Sequence, residues 1–241
     1  MTQNSREHID IGGSWQIAFD PEDQGLKSGW TKGGWPEQNA QPIQVPAIWN
    51  IEYPQADGVG FYRTMFSVPD SWQGKHVLLH FEGAIYRCEV WINGKFAGSH
   101  EGGYTPFWFD ITPYIQFGVE GILIVRVTAL SKSKTVDGMI LEQTPLSKQS
   151  WYYVYGGLWG NVFLESCPMV ACQDLIIDPD LRRERAELDI CLNNRHEEFR
   201  QVQLVLKVID PRGEVAYYQE SQVAAPPGSA HFMYTLPIPR P

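Results

Sequence analysis

The sequence predicts an all-β chain of two successive sandwiches, and two observations carry that prediction. Apolar residues alternate in short runs cut by Gly and Pro, and no segment holds an apolar 3.6-residue period for three turns. The composition then changes near Pro168: all nine tryptophans lie between Trp15 and Trp159, and none follows. Many short strands with turn signals between them are the pattern of a sandwich. A chain of 241 residues suffices for one large domain or two modest ones, and either would bury a real core.

Taken in order, Trp15-Gln16-Ile17-Ala18-Phe19 alternates and reads as the first strand. Gly25 to Pro42 is rich in Gly, Trp and polar residues, which predicts an ordered surface loop. Phe61 to Val68 alternates until Pro69-Asp70 breaks it, Val77 to Phe81 continues the style, and Ile122 to Val127 repeats it. Val90-Trp91-Ile92 and Lys95-Phe96-Ala97-Gly98 flank Asn93-Gly94. A type I′ turn needs φ > 0 at both central residues, which Gly takes freely and Asn more easily than most, so a hairpin is predicted there. Trp159 to Glu165 closes the first set. After Pro168 the strands are Ala171–Ile177, Ala186–Leu192, Val202–Ile209, Glu214–Glu220 and Ala230–Leu236, with Asp210-Pro211-Arg212-Gly213 as a hairpin turn. An immunoglobulin-like sandwich normally has about seven strands, so this second domain reads as cut short. The expected boundaries are residues 1–167 and 168–241.

Composition excludes several function classes. A formal net charge of −9 with 20% charged residues argues against nucleic-acid or anionic-membrane partners. No apolar run reaches the roughly eighteen residues of a spanning helix, and the polar MTQNSREHID start lacks the apolar stretch of a signal peptide. Cys88, Cys167, Cys172 and Cys191 are too few and scattered for a disulfide framework, and Cys167 and Cys172 lack zinc-ligand spacing. The expectation is a soluble cytoplasmic protein with reduced thiols, no metal and no cofactor.

Several short pieces occur in a telling order: Val45-Pro46, Trp49-Asn50, Phe61 to Phe66, Trp72-Gln73-Gly74-Lys75, Phe81-Glu82-Gly83, Val90 to Gly94, His100, Gly102 to Phe107, Phe109 to Thr112 and Gly157 to Glu165. On these the chain resembles the N-terminal part of a glycoside hydrolase family 2 enzyme, the family of β-galactosidases, β-glucuronidases and β-mannosidases. The resemblance implies a jelly-roll sugar-binding-type domain, an immunoglobulin-like domain, and then a (β/α)8 barrel that holds the active site. A barrel needs about 250 residues, and no room for it remains here. The family's retaining chemistry uses two carboxyl groups about 5–5.5 Å apart, both on that barrel. No residue of this chain therefore inherits a catalytic role, and the chain alone is expected to be inert.

The carboxylates near aromatic segments are Glu52, Glu82, Glu101, Asp110, Glu142 and Glu165. Glu82 and Asp110 read as turn anchors that accept backbone N–H bonds. Glu165 reads as a boundary residue, and His100 with Glu101 as part of a solvent-facing loop. His76 and His80 share one strand face and read as solvent-exposed. The segment expected to edge a sugar site is Leu141 to Trp159, with Gln143, Lys148, Gln149, Trp151 and Tyr152 as candidates; Tyr153 and Tyr155 read as packing residues. Well-known family members carry an Asp in this segment, and this chain has none from Lys148 to Trp159. That departure puts an ordinary β-galactosidase or β-glucuronidase pocket in doubt. Three functions stay open: the non-catalytic part of a retaining β-glycosidase, whose partners are a carbohydrate substrate and the missing barrel; a free-standing lectin-like module; and a sandwich that is purely structural or forms a homo-oligomer.

Overall fold

The computed structural model describes residues 6–131, 135–136, 138–140 and 155–238. These residues form an all-β protein in two compact units, one ending at Ser166 and the other beginning at Cys167. Among the described residues no helix is long and apolar enough to cross a membrane.

The first unit is a sandwich of two antiparallel sheets. One has six strands, β3 (Gln41–Val45), β2 (Gly13–Phe19), β4 (Val59–Ser67), β10 (Glu120–Thr128), β7 (Arg87–Ile92) and β8 (Lys95–Glu101), in that spatial order. The other has four, ordered β1 (Glu7–Asp10), β12 (Val162–Cys167), β5 (His76–Phe81) and β9 (Phe107–Asp110). A short pair, β6 (Ala84–Ile85) with β11 (Gly157–Leu158), lies at the rim. Alternate residues of each strand point inward, so Ile17, Tyr62, Leu79, Phe81, Val90, Ile92, Leu123, Val125 and Leu164 fill one shared core.

The six-stranded sheet is covered on its outer face as well. Ala18, Phe61, Trp91 and Ile124 meet Trp30 and Trp35 from the loop between β2 and β3. The loop predicted over Gly25–Pro42 is thus ordered, and its tryptophans roof a second core. Asp20 ties down its start by accepting the Gln24 N–H at 2.9 Å and the Gly25 N–H at 2.6 Å. Burial on both faces explains why β4 opens with four consecutive buried residues where the sequence reads as plain alternation.

The Asn93-Gly94 hairpin joins β7 to β8 with φ of 51° and 77°, the two positive values that its turn requires. Asn93 also braces the neighbouring loops. Its Oδ1 accepts the Ile122 N–H and its Nδ2 donates to the Tyr114 carbonyl, both at 2.9 Å. Several short elements were not legible in the sequence, among them β1, β3 and the helix α1 (Trp49–Glu52). β1 is four residues at a sheet edge, β3 contains Pro42 and is tolerated because it too is an edge strand, and α1 is a single turn.

In the second unit β14 (Arg185–Asn194) is the centre of a three-stranded sheet between β13 (Val170–Asp180) and β17 (Gly228–Pro237). A pair, β15 (Arg200–Ile209) and β16 (Val215–Ala225), packs across Leu188, Ile190, Leu192 and Leu236 through Leu206. Asp210 organises the predicted turn between β15 and β16. Its Oδ1 accepts the N–H groups of Arg212 and Glu214, and Gly213 takes φ 86°.

Candidate functional site

Gln143, Lys148, Gln149, Trp151 and Tyr152 lie in residues 141–154, outside the described residues, as do Glu142 and Tyr153. The described residues that flank this stretch are held at one end of the first sandwich. Asn50 of α1 is buried, and its Oδ1 accepts the Gly156 N–H at 2.9 Å while its Nδ2 donates to the Ala56 carbonyl at 2.8 Å. The N–H groups of Ala47 and Trp49 donate to the carbonyls of Leu158 and Gly156, and the Ser131 hydroxyl donates to Asp57 at 2.7 Å. Leu158 N–H in turn donates to the Tyr62 hydroxyl at 3.3 Å, and complete burial pushes that phenol's pKa up. The loop around α1 and the segment entering β11 therefore form one hydrogen-bonded platform. Sequence reading marked Trp49-Asn50 only as a family motif, because Gly156, the partner that ties Asn50 to this segment, is 106 residues away in the chain.

A second group sits on the rim beside this platform. Pairing of β6 with β11 brings Gly83 beneath Trp159, so close that a Cβ at Gly83 would meet the indole at 2.5 Å. The indole Nε1–H donates to the Gly103 carbonyl at 2.8 Å, and the Tyr104 ring lies 6.0 Å away, centroid to centroid. Tyr104 and Tyr155 join hydroxyls at 3.0 Å, and that bond together with burial pushes the Tyr155 phenol up to about 12. Glu82 anchors this rim, but through the Asn161 side-chain amide at 2.7 Å instead of the backbone N–H predicted for it. Tyr155, read from sequence as packing, is half-buried against Ile85, Tyr86, Leu130 and Met139.

Other readings need correction. Glu165 is no boundary residue: it lies inside β12, buried, with its carboxylate shared by Arg6 (3.2 Å), His8 Nε2 (2.9 Å) and His80 Nε2 (3.0 Å). His76 and His80 do share a strand face but are half-buried rather than solvent-exposed, and His76 Nδ1 pairs with Asp110 at 3.0 Å. Asp110 anchors its turn as expected, accepting the Thr112 N–H at 3.0 Å. His100 and Glu101 end strand β8 instead of lying in a loop, with His100 stacked on Phe107 at 4.1 Å and Glu101 paired to Arg87. The described carboxylates with named partners are thus committed to ion pairs or turns. Among the described residues no group of three His, Cys, Asp or Glu side chains is placed to hold a metal ion.

Comparison with known proteins gives this geometry a family. Residues 9–168 match the model of glycosyl hydrolases family 2, sugar binding domain. A β-galactosidase of Thermoanaerobacter pseudethanolicus is 34% identical over 160 residues, which is 65% of this chain and 20% of that protein. A β-glucuronidase of Formosa agariphila is 28% identical over 186 residues, covering 71% of this chain and 18% of that protein. The chain therefore spans only about a fifth of the length of these curated relatives. A Bacteroides uniformis β-glucuronidase structure superimposes with a TM-score of 0.78 over 98% of this chain at 22% identity, a likeness of fold. With the match extending over most of its length, the chain belongs to glycosyl hydrolases family 2, and residues 9–168 are its sugar-binding domain.

Proposed function

We propose that this chain is the non-catalytic N-terminal portion of a retaining β-glycosidase, in which it supports and edges an active site that a barrel outside these residues supplies. The reading rests on the match of residues 9–168 to a domain whose relatives, named β-galactosidase and β-glucuronidase, are several times longer. The geometry is in keeping with it. The platform around Asn50 and Gly156 fixes both approaches to residues 141–154, the stretch proposed to reach substrate through Gln143, Lys148, Gln149, Trp151 and Tyr152. In this reading residues 1–167 act as the jelly-roll domain and 168–241 as the immunoglobulin-like spacer, in the cytoplasm, on a terminal β-linked sugar.

The chemistry proposed for the whole enzyme is double displacement: one carboxylate attacks the anomeric carbon while a protonated partner releases the aglycone, and water then displaces the enzyme. Both displacements invert, so the configuration is retained. Proton NMR of the product formed first by the chain together with its catalytic barrel is expected to show the β-anomer. An α-anomer at first turnover rejects the mechanism, and hydrolysis by the 241-residue chain alone rejects its non-catalytic role.

A further inference from the structure

We propose that Trp159, with Tyr104 and Tyr155 beside it, is a preformed stacking platform for the C–H face of a hexopyranose. Trp159 is held from several sides, yet 36% of it stays exposed. Its N–H is used on the Gly103 carbonyl, Gly83 closes one side at contact distance, and Tyr104 leans against it. An indole whose only polar atom is already satisfied offers solvent an apolar ring surface. Tyr104, 45% exposed, lies against that indole and joins its hydroxyl to that of Tyr155. Asn161, two residues on from Trp159, and Glu82, next to Gly83, add an amide and a carboxylate that already fix each other. A pyranose ring has the complementary surface, apolar C–H bonds on its face and hydroxyls around its rim. Because the indole is pinned before any ligand arrives, binding loses little side-chain freedom.

The inference deepens the sugar-binding reading of residues 9–168 but is measured separately from it. The 241-residue protein, labelled with ¹⁵N, is titrated with methyl β-D-glucopyranoside, methyl β-D-galactopyranoside and methyl β-D-glucuronide while the indole N–H resonances are followed. The expected result is a saturable shift of the Trp159 resonance with at least one of the three, with a Kd of about 1 mM or tighter. Trp159→Ala is expected to weaken that binding about tenfold, the scale of one aromatic contact. Gly83→Ala is expected to do the same by pushing the indole away without deleting it, which covers the case in which Trp159→Ala fails to fold. The proposal is overturned if none of the three sugars gives a saturable Trp159 shift, or if a folded Gly83→Ala protein binds as tightly as the parent. The retention assay reads the anomer formed first and the titration reads the Trp159 resonance, so the failure of one reading is distinguishable from the failure of the other.

Discussion

Glu165 shows how much a single side chain can organise. Taking a carboxylate out of water costs several kcal/mol by rough estimate unless cations and donors replace the hydration, and here Arg6 and His8 at the N-terminal end and His80 of β5 do so. The rings of His8, Phe163, His80 and Trp108 stack in a row across the same sheet face, at 5.3, 4.7 and 5.8 Å. Burial between Phe163 and Trp108 lowers the His80 pKa, an effect that Glu165 opposes and that His8 and Arg6 reinforce. The unfolded chain, with a histidine pKa of about 6.5, then takes up this proton before the folded protein does. Stability from this group is present above pH 6.5 and is lost as the pH falls towards the lower folded value. His100, lowered by burial, adds in the same direction. Urea unfolding between pH 7.5 and 5 is expected to show a shallower loss of stability in His80→Gln than in the parent. An equal slope in both would assign the acid sensitivity elsewhere.

At the scale of elements, the loop between β2 and β3 is the clearest case of sequence meaning disclosed by its neighbours. Arg126 on β10 is almost wholly buried, lies over the Phe61 ring, pairs with Glu89 across the strands and reaches Asp23 of the loop at 2.8 Å. One guanidinium thus ties the loop to the sheet beside the Trp30 and Trp35 roof. Removing one partner from a buried ion pair costs roughly 3–5 kcal/mol; because Asp23 is half-exposed and water can reach it, Arg126→Ala is expected to lose about 2 kcal/mol. Denaturant titration measures that loss. Limited proteolysis between Asp23 and Glu37 is expected to quicken with it, and unchanged cleavage would mean that the tryptophans alone hold the loop.

At the scale of the whole molecule the two units differ in how fully their layers are matched. The first buries both sheets against each other, whereas in the second a three-stranded sheet faces a two-stranded one among the described residues. Leu175 and Ile177 stand opposite buried Ile190 and Leu188 in the register, so they point to the same face, yet they are 47% and 57% exposed. Exposed apolar strand residues at a sheet edge favour pairing with another chain. The 241-residue protein is expected to self-associate as its concentration rises, and Ile177→Lys to weaken that association. Sedimentation analysis decides the matter, since a monodisperse monomer at high concentration in both proteins would remove the expectation.

Residue pattern by itself determined the all-β class, most strands, both marked hairpins and the family. Alternation, Asn93-Gly94 and Asp210 to Gly213 act through local backbone geometry, and local rules suffice to read them. Fold alone could decide which polar groups share a site. Glu165 meets His80 and Arg6, Asn50 meets Gly156, and Trp159 meets Gly83 and Gly103 across stretches of chain that no spacing rule spans. Periodicity tells which face a side chain takes. The partner found on that face is set by sheet order and register, which depend on the packing of the whole core.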